Sequence, residues 1–536
     1  MSRNNLLLVL IILIGFFIRL LPLSFPSFTA DEARIAVRGY SLAKSGVDEL
    51  GRRFPLIFNA SEDYQLPLTS YVTGLGILIF GKTEFGARIL FITIGSLLIL
   101  LTYFISSYFI SSNRYRMLSS LIIAFSPALI YLSRFPNEWI LLTCLFLLLF
   151  LNLVNKNTSN KIKLFMTIVL AILLLTTSKI AWFVLIPFVI FTIFFYQNNL
   201  FKKNKWILMG CLLLTLLVLI SFLRIPQSMR SLSENNFLLF SDVTIQNGIN
   251  RLRGQGIEIG WPTIIEKLLF NKSHYIFIGF LHWLSNLSPS VFFGEFDKTG
   301  QLGYIGMGAW PKILLIPFLL SIVSLIKKGG NKKIKYLWGY FILLTFPIFF
   351  LYPKNSPNII LLTLPFMALI LCEGIIILKK RVIILIFFIA FLELVINFFE
   401  FNAQIKNMNE LRPRWIDKIM IDGYNVSSDY RLAFSDDIAS DIAPFFQWYT
   451  SASPSSDFSK LDFPYKFHKS KLGDIKIIGH EDIFYNCTKD KPTIIFASAR
   501  DLKKIKGEFE IRIDRIFHDS LGKEIAYKLH PRICIK

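Results

Sequence analysis

Long apolar runs separated by short basic connections dominate the chain. LLLVLIILIGFFIRLLPL, ILLTCLFLLLFLNLV and VIILIFFIAFLELVINFF each approach the roughly 20 residues that cross a ~30 Å hydrocarbon core. Runs of this kind near 6–24, 88–110, 116–132, 139–154, 163–178, 180–197, 206–223, 311–327, 335–352, 358–378 and 382–399 predict about eleven transmembrane helices. Another apolar stretch, LPLTSYVTGLGILIFG at 66–81, would invert every later loop if it crossed. It is predicted as an interfacial or re-entrant helix instead. From about residue 400 the long apolar runs stop, and YRLAFS, PTIIFASAR and IRIDRIF read as short strands. The expectation is an all-α polytopic membrane domain over 1–399, with large loops at 25–87 and 224–310, followed by a small α/β domain over 400–536.

Composition agrees: of 536 residues, 54% are hydrophobic and 18% charged. A soluble globule averages ~45–50% apolar and ~25% charged, so that class is excluded. The net charge of +22 raises the question of nucleic acid. Its distribution answers it. With the N-terminus inside, MSRNN, SSNRYR, NKNTSNKIK, NNLFKKNK, KKGGNKKIK and KKR are the cytoplasmic loops, and they hold seventeen Lys and Arg and no acid. The short connections on the other side hold three, at Arg134, Lys179 and Lys354, so the basic surplus is a topology signal and no nucleic-acid partner is implied. An N-terminal signal peptide cut before Asp31 would place Phe28 at its minus-three position, a poor fit, so an uncleaved first span is expected. The result is an integral protein of the plasma membrane with both large loops and residues 400–536 extracytoplasmic.

Candidate chemistry gathers at that outer face. Asp31 and Glu32 follow the first span in SFTADEARIAVRGYSLAKSG, where Ile35, Ala36, Tyr40 and Leu42 suggest a short amphipathic helix. Carboxylates there suit a general base; the bland alternative is a helix N-terminus, which acids favour. In YLSRFPNEWILL, Arg134 and Glu138 lie four residues apart between two spans. Arg134 offers a fork suited to phosphate, and if Pro136 opens a helix Glu138 faces back toward the first loop; two residues closing a tight hairpin is the simpler reading. EDYQLPLTSYVTGLGILIFGKTEFGARIL adds Glu62, Asp63, Tyr64, Gln65 and Arg88, the last also a natural headgroup anchor. The second loop contributes His274, His282, Trp283, Glu295 and Asp297. Two His eight apart without a third ligand suit packing better than a metal. Cys144, Cys211 and Cys372 fall in apolar runs; Cys487 and Cys534 share a polar region where a disulfide can form.

Several of these pieces together resemble the membrane-embedded glycosyltransferases of the C superfamily (GT-C), in the branch of protein O-mannosyltransferases and the lipid A aminoarabinose transferase. The resemblance lies in ADEA after the first span, IFGKTEFGAR, SPALIYLSRFPNEWILL, LSPSVFFGEFD with GYIGMGAWPKILLIPFLL, and NSPNIILLTLPFMALI, in order over roughly residues 1–400. It implies transfer of a hexosyl or pentosyl group, with inversion, from a polyprenyl-phosphate donor to a lipid, glycan or protein acceptor in the cell envelope. By that resemblance Asp31 is the catalytic base and Glu32 positions it, the acceptor or a divalent cation; Arg134 and Glu138 lie near the donor's phosphate and sugar. Relatives often carry Lys-Pro-Pro where this chain has Gln65-Leu66-Pro67. Gln65 brings no charge, so Arg134, Arg52, Arg53 or Arg88 has to neutralise the phosphate. Competing classes are a transporter or flippase for lipid-linked glycans and a non-catalytic glycolipid binder. A transporter should bury charge at mid-membrane, whereas here Glu373 and Glu393 are the main charges inside the spans.

Overall fold

The structure, a computed structural model, describes residues 3–21, 28–48, 51–60, 63–155, 158–225, 238–239, 242–262, 264, 272–296, 306–327, 332–351, 356–407, 416–435, 438, 442–450, 468–470, 473–478, 492–500, 502, 512–518 and 524–530. In chain order the elements are α1 (Arg3–Leu20), α2 (Ala30–Ser45), β1 (Phe58–Ala60), β2 (Asp63–Gln65), α3 (Leu68–Phe80), α4 (Glu84–Phe109), α5 (Asn113–Ala124), α6 (Pro127–Leu132), α7 (Glu138–Val154), α8 (Asn160–Leu175) and α9 (Lys179–Leu223). Then come α10 (Val243–Glu258), α11 (Lys272–Asn286), α12 (Pro289–Phe293), α13 (Leu315–Lys327), α14 (Lys332–Thr345), α15 (Ser356–Ile376) and α16 (Lys380–Asn407). The last elements are α17 (Ile416–Val426), β3 (Arg431–Ser435), α18 (Ile442–Tyr449), β4 (His468–Ser470), β5 (Gly473–Ile478), β6 (Thr493–Ser498), β7 (Ile513–His518) and β8 (Glu524–Leu529). They divide into two compact units: Met1–Leu21 with Phe91–Phe401, and Pro22–Leu90 with Asn402–Lys536.

The first unit is helical and apolar. Among the described residues, three helices are long and apolar enough to cross a membrane: Glu84–Phe109, Ile359–Ile376 and Lys380–Glu400. The predicted span at 116–132 is interrupted: α5 stops at Ala124 and α6 restarts at Pro127. Pro127 has no N–H to continue the ladder, and Ser126 caps the new helix by accepting from the Leu129 N–H. The two spans predicted at 180–197 and 206–223 form one helical run, α9. A straight helix would separate Trp182 from Phe222 by ~60 Å, yet their rings are 5.4 Å apart. The run therefore turns back between its apolar parts, Lys179–Phe194 and Met209–Leu223. At the centre lies Tyr340, fully buried, with Phe191 at 4.7 Å, Phe366 at 4.8 Å and Phe150 at 5.5 Å, its hydroxyl 3.0 Å from Thr192 Oγ1.

The second unit is built on a six-stranded mixed sheet of order β4-β5-β3-β6-β8-β7, with β3 parallel to β5 and β6 and the remaining pairs antiparallel. Residues alternate across the sheet. Leu432, Phe434, Ile494, Phe496 and Phe517 face one core, while Ala433, Ile495, Ala497, Tyr527 and Leu529 face another. The first core also takes Ala33, Ala36 and Val37 from α2 and Ile416, Ile419 and Met420 from α17. Helix α2 thus turns its 3–4 spaced apolar positions onto the C-terminal sheet. The first loop and the C-terminal region share one core, a grouping that the linear sequence does not display. Helix α3 lies against α2 at two glycines: a Cβ on Gly74 would sit 2.6 Å from the Gly39 carbonyl oxygen, so the backbones meet only because neither carries a side chain.

Candidate active site

The adjacent acids Asp31 and Glu32 are separated by a helix cap. Thr29 is the N-cap of α2, and its Oγ1 accepts the Glu32 N–H at 3.2 Å. Glu32 occupies the third helical position and turns inward, its side chain 6% exposed. Asp31, one residue earlier, points outward with its side chain 87% exposed and Arg34 3.9 Å away. One carboxylate is pinned and the other reachable.

What pins Glu32 is Arg88. Its Nη2 lies 2.6 Å from Glu32 Oε2 and its Nη1 3.4 Å from Glu84 Oε2, with the guanidinium wholly buried. Phe28 stacks against it, 4.7 Å from ring centre to Cζ. Glu84 in turn accepts at 2.7 Å from the hydroxyl of Tyr449, at the end of α18. Burial first, then the carboxylates of Glu84 and Asp417, push the Tyr449 phenol up, so it stays protonated and donates. Arg88 therefore sits between two carboxylates. Gln65, ending β2, accepts from Nη1 of the buried Arg38, which lies over the Phe58 ring at 5.1 Å. Arg52 is bound by the buried Asp48 through Nε and Nη2, each 2.7 Å away, while Arg53 is exposed.

Arg134 and Glu138 belong to the first unit. Helix α7 opens at Glu138 and not at Pro136: Asn137 is its cap, Oδ1 accepting the Ile140 N–H at 3.0 Å. Ser178, the cap of α9, donates to Glu138 Oε1 at 3.0 Å. Arg134 is 1% exposed, behind the end of α6. His274 and His282 both lie on α11, His274 beside Phe277, and Asn286 donates to the His282 backbone carbonyl at 2.8 Å. Among the described residues no group of three or more His, Cys, Asp or Glu is placed to hold a metal ion. Glu62, Asp297, Lys354 and the pair Cys487 and Cys534 lie outside the described residues.

Reading the sequence did not single out Glu84, Arg38 or Tyr449. Glu84 had a visible signal, its i,i+4 spacing to Arg88 in KTEFGAR. Tyr449 had none, being 365 residues from its partner.

No family model matches the chain, and no curated protein matches it. Among solved structures, ArnT from Cupriavidus metallidurans bound to undecaprenyl phosphate aligns over 98% of both chains with a TM-score of 0.55 at 11% identity. The same protein in the apo state aligns at 0.53, again over 98% of both chains at 11% identity. The archaeal oligosaccharyltransferase AglB from Archaeoglobus fulgidus, in complex with an inhibitory peptide and a dolichol-phosphate, aligns at 0.46 over 98% of this chain and 74% of its own, at 11% identity. The end-to-end likeness shows that this chain has the fold of ArnT, and its long apolar helices are those of an integral membrane protein.

Proposed function

We propose that the protein is an inverting glycosyltransferase that moves a hexosyl or pentosyl group from a polyprenyl-phosphate donor to an acceptor at the outer face of the membrane. The observation that carries this reading is the division of labour at the start of α2: Asp31 is reachable while Glu32 is locked to Arg88. Asp31 takes the proton of the acceptor hydroxyl as its oxygen bonds to the anomeric carbon. The bond from that carbon to the phosphate oxygen breaks, and the lipid phosphate leaves with the electron pair. Such a leaving group asks little of the protein beyond a placed base and charge stabilisation. The undecaprenyl phosphate bound in the ArnT structure supports a polyprenyl-phosphate donor. Glu32 acts as a positioning residue, and Arg134 with Glu138 serves the donor's phosphate and sugar. Gln65 and Arg88, each engaged by another side chain, shape the wall of the site. Acceptor classes remain lipid, glycan or protein.

The test is to supply the purified full-length protein with radiolabelled undecaprenyl-phosphate-linked mannose, glucose and arabinose, using native membranes as acceptor. Asp31→Asn should lower transfer by ~10²–10⁴-fold, the usual worth of a general base, with its folding unchanged because the side chain is exposed. Wild-type turnover in that variant removes Asp31 as the base. Orientation has its own test: in a background with Cys487 and Cys534 replaced by Ser, the exposed Asn425, as Asn425→Cys, should react with an impermeant maleimide added to intact cells. Labelling only after lysis reverses the topology.

A further inference from the structure

We propose that the C-terminal region completes the site through Tyr449, a positioning residue that acts on Glu32 by way of Glu84 and Arg88; this rests on the glycosyltransferase reading above. The connection is continuous. Tyr449 Oη donates to Glu84 Oε1 at 2.7 Å, Glu84 Oε2 lies 3.4 Å from Arg88 Nη1, and Arg88 Nη2 lies 2.6 Å from Glu32 Oε2. The two outer links join the end of α18 and the first turn of α2 to α4, and the middle link lies within the first turns of α4 itself. A buried guanidinium shared by two carboxylates moves toward whichever holds the fuller charge, and a donated hydrogen bond to Glu84 favours its charged form. Tyr449 thereby holds Arg88 in the middle and sets how tightly Glu32, the neighbour of Asp31, is drawn inward.

The end of α18 is built to stay where this requires. Lys82 Nζ donates to the carbonyls of Gln447 at 3.3 Å and Thr450 at 3.1 Å, on either side of Tyr449. Trp448 packs on Phe28 with ring centres 5.2 Å apart, and Phe28 is the ring that covers Arg88. Asp417, on α17, also acts electrostatically on both Glu84 and Tyr449. Four consecutive residues, Gln447 to Thr450, thus touch the lysine, the ring and the carboxylate that surround the Arg88 site.

The experiment is steady-state kinetics on the full-length protein with whichever undecaprenyl-phosphate-linked sugar of the panel is turned over. Tyr449→Phe should lower kcat by about tenfold with KM for the donor unchanged and the protein still folded, the pattern of an interaction felt at the reacting step. Glu84→Gln should act alike, and the double variant should be no slower than the slower single, because both break one chain. Arg515→Met, which removes an exposed ion pair with Asp422 elsewhere in the same unit and touches none of these groups, should keep kcat within about twofold. Additive losses, a wild-type kcat in Tyr449→Phe, or an equal loss in Arg515→Met would overturn the proposal. Should Tyr449→Phe be recovered unfolded, Glu84→Gln carries the test, a normal kcat overturning it. An inactive Asp31→Asn beside a normal Tyr449→Phe defeats this inference alone; a normal Asp31→Asn, or no turnover by the wild type, defeats the underlying reading and this inference with it.

Discussion

In the unit formed by Met1–Leu21 and Phe91–Phe401, buried polar groups are returned to the backbone. Thr102 donates to the Leu98 carbonyl at 2.7 Å, Thr143 to Trp139 at 2.8 Å and Thr192 to Phe188 at 2.7 Å, each one turn back in its own helix. Even Arg19, wholly buried, gives its Nη1 to the carbonyls of Gly15 and Ala124. In the unit formed by Pro22–Leu90 and Asn402–Lys536, buried charge is met by opposite charge, Arg88 by Glu32 from another segment and by Glu84 one turn away, and Asp48 by Arg52 four residues on. The difference follows from the surroundings of each. A helix facing lipid has no solvent to lend a partner, so its hydroxyls turn to their own carbonyls. A sheet packed on helices brings distant side chains together and can assemble ions in sets. Reactive groups that need a tuned charge belong in the second kind of region.

The comparison is broken most severely at Arg88. Replacing it by Met leaves Glu32 buried without its cation and should cost about 3–5 kcal/mol, seen as a large fall in the thermal midpoint. Adding Glu32→Gln should restore part of it; if the single variant is as stable as the wild type, the ion set is not what organises this unit. In the first unit the expected penalty is smaller. Ser178→Ala removes the hydroxyl that Glu138 accepts from, worth about 1–3 kcal/mol for a buried acceptor left without that donor, measured by denaturant titration in detergent. An effect as large as that of Arg88→Met would erase the contrast between the units.

The smallest effect is a titration. Burial, and then the ammonium of Lys44, pull Lys82 down to about 8, against ~10.4 for a free lysine. Its carbonyl and aromatic partners limit that fall without reversing it. From about pH 8 to ~10.4 the unfolded chain holds more protons than the folded one, so stability should rise with pH across that window. Nitrogen NMR of the lysine side chains should show one midpoint near 8, absent in Lys82→Met. A midpoint at the ordinary lysine value would mean that the ammonium is not desolvated there.

Much of the first unit was legible because a helix in lipid announces itself locally, in twenty or so apolar residues and the basic loops that follow. The break before Pro127 was there to be read in the missing N–H, yet the apolar run continued across it. For the site, the ADEA element marks Asp31 and Glu32, and Thr29 before them is the residue type that caps a helix start. Arg88 stands in the sequence as a cation fit for an anchor or a phosphate ligand, since nothing near it along the chain says that Glu32 claims it. Gln65 brings no charge of its own, and the structure sets Arg38 directly upon it.

The amino-acid sequence by itself determined that this protein is apolar enough to live in a membrane and which acids follow its first apolar run, because hydrophobic length and helix capping are properties of contiguous residues. Only the tertiary structure decided that the first loop and the C-terminal region share a core, that Glu32 is held while Asp31 is presented, and that Tyr449 closes the set. Burial and ion pairing depend on which surfaces meet in space, and contacts spanning 56 and 365 positions leave no periodicity along the chain to betray them.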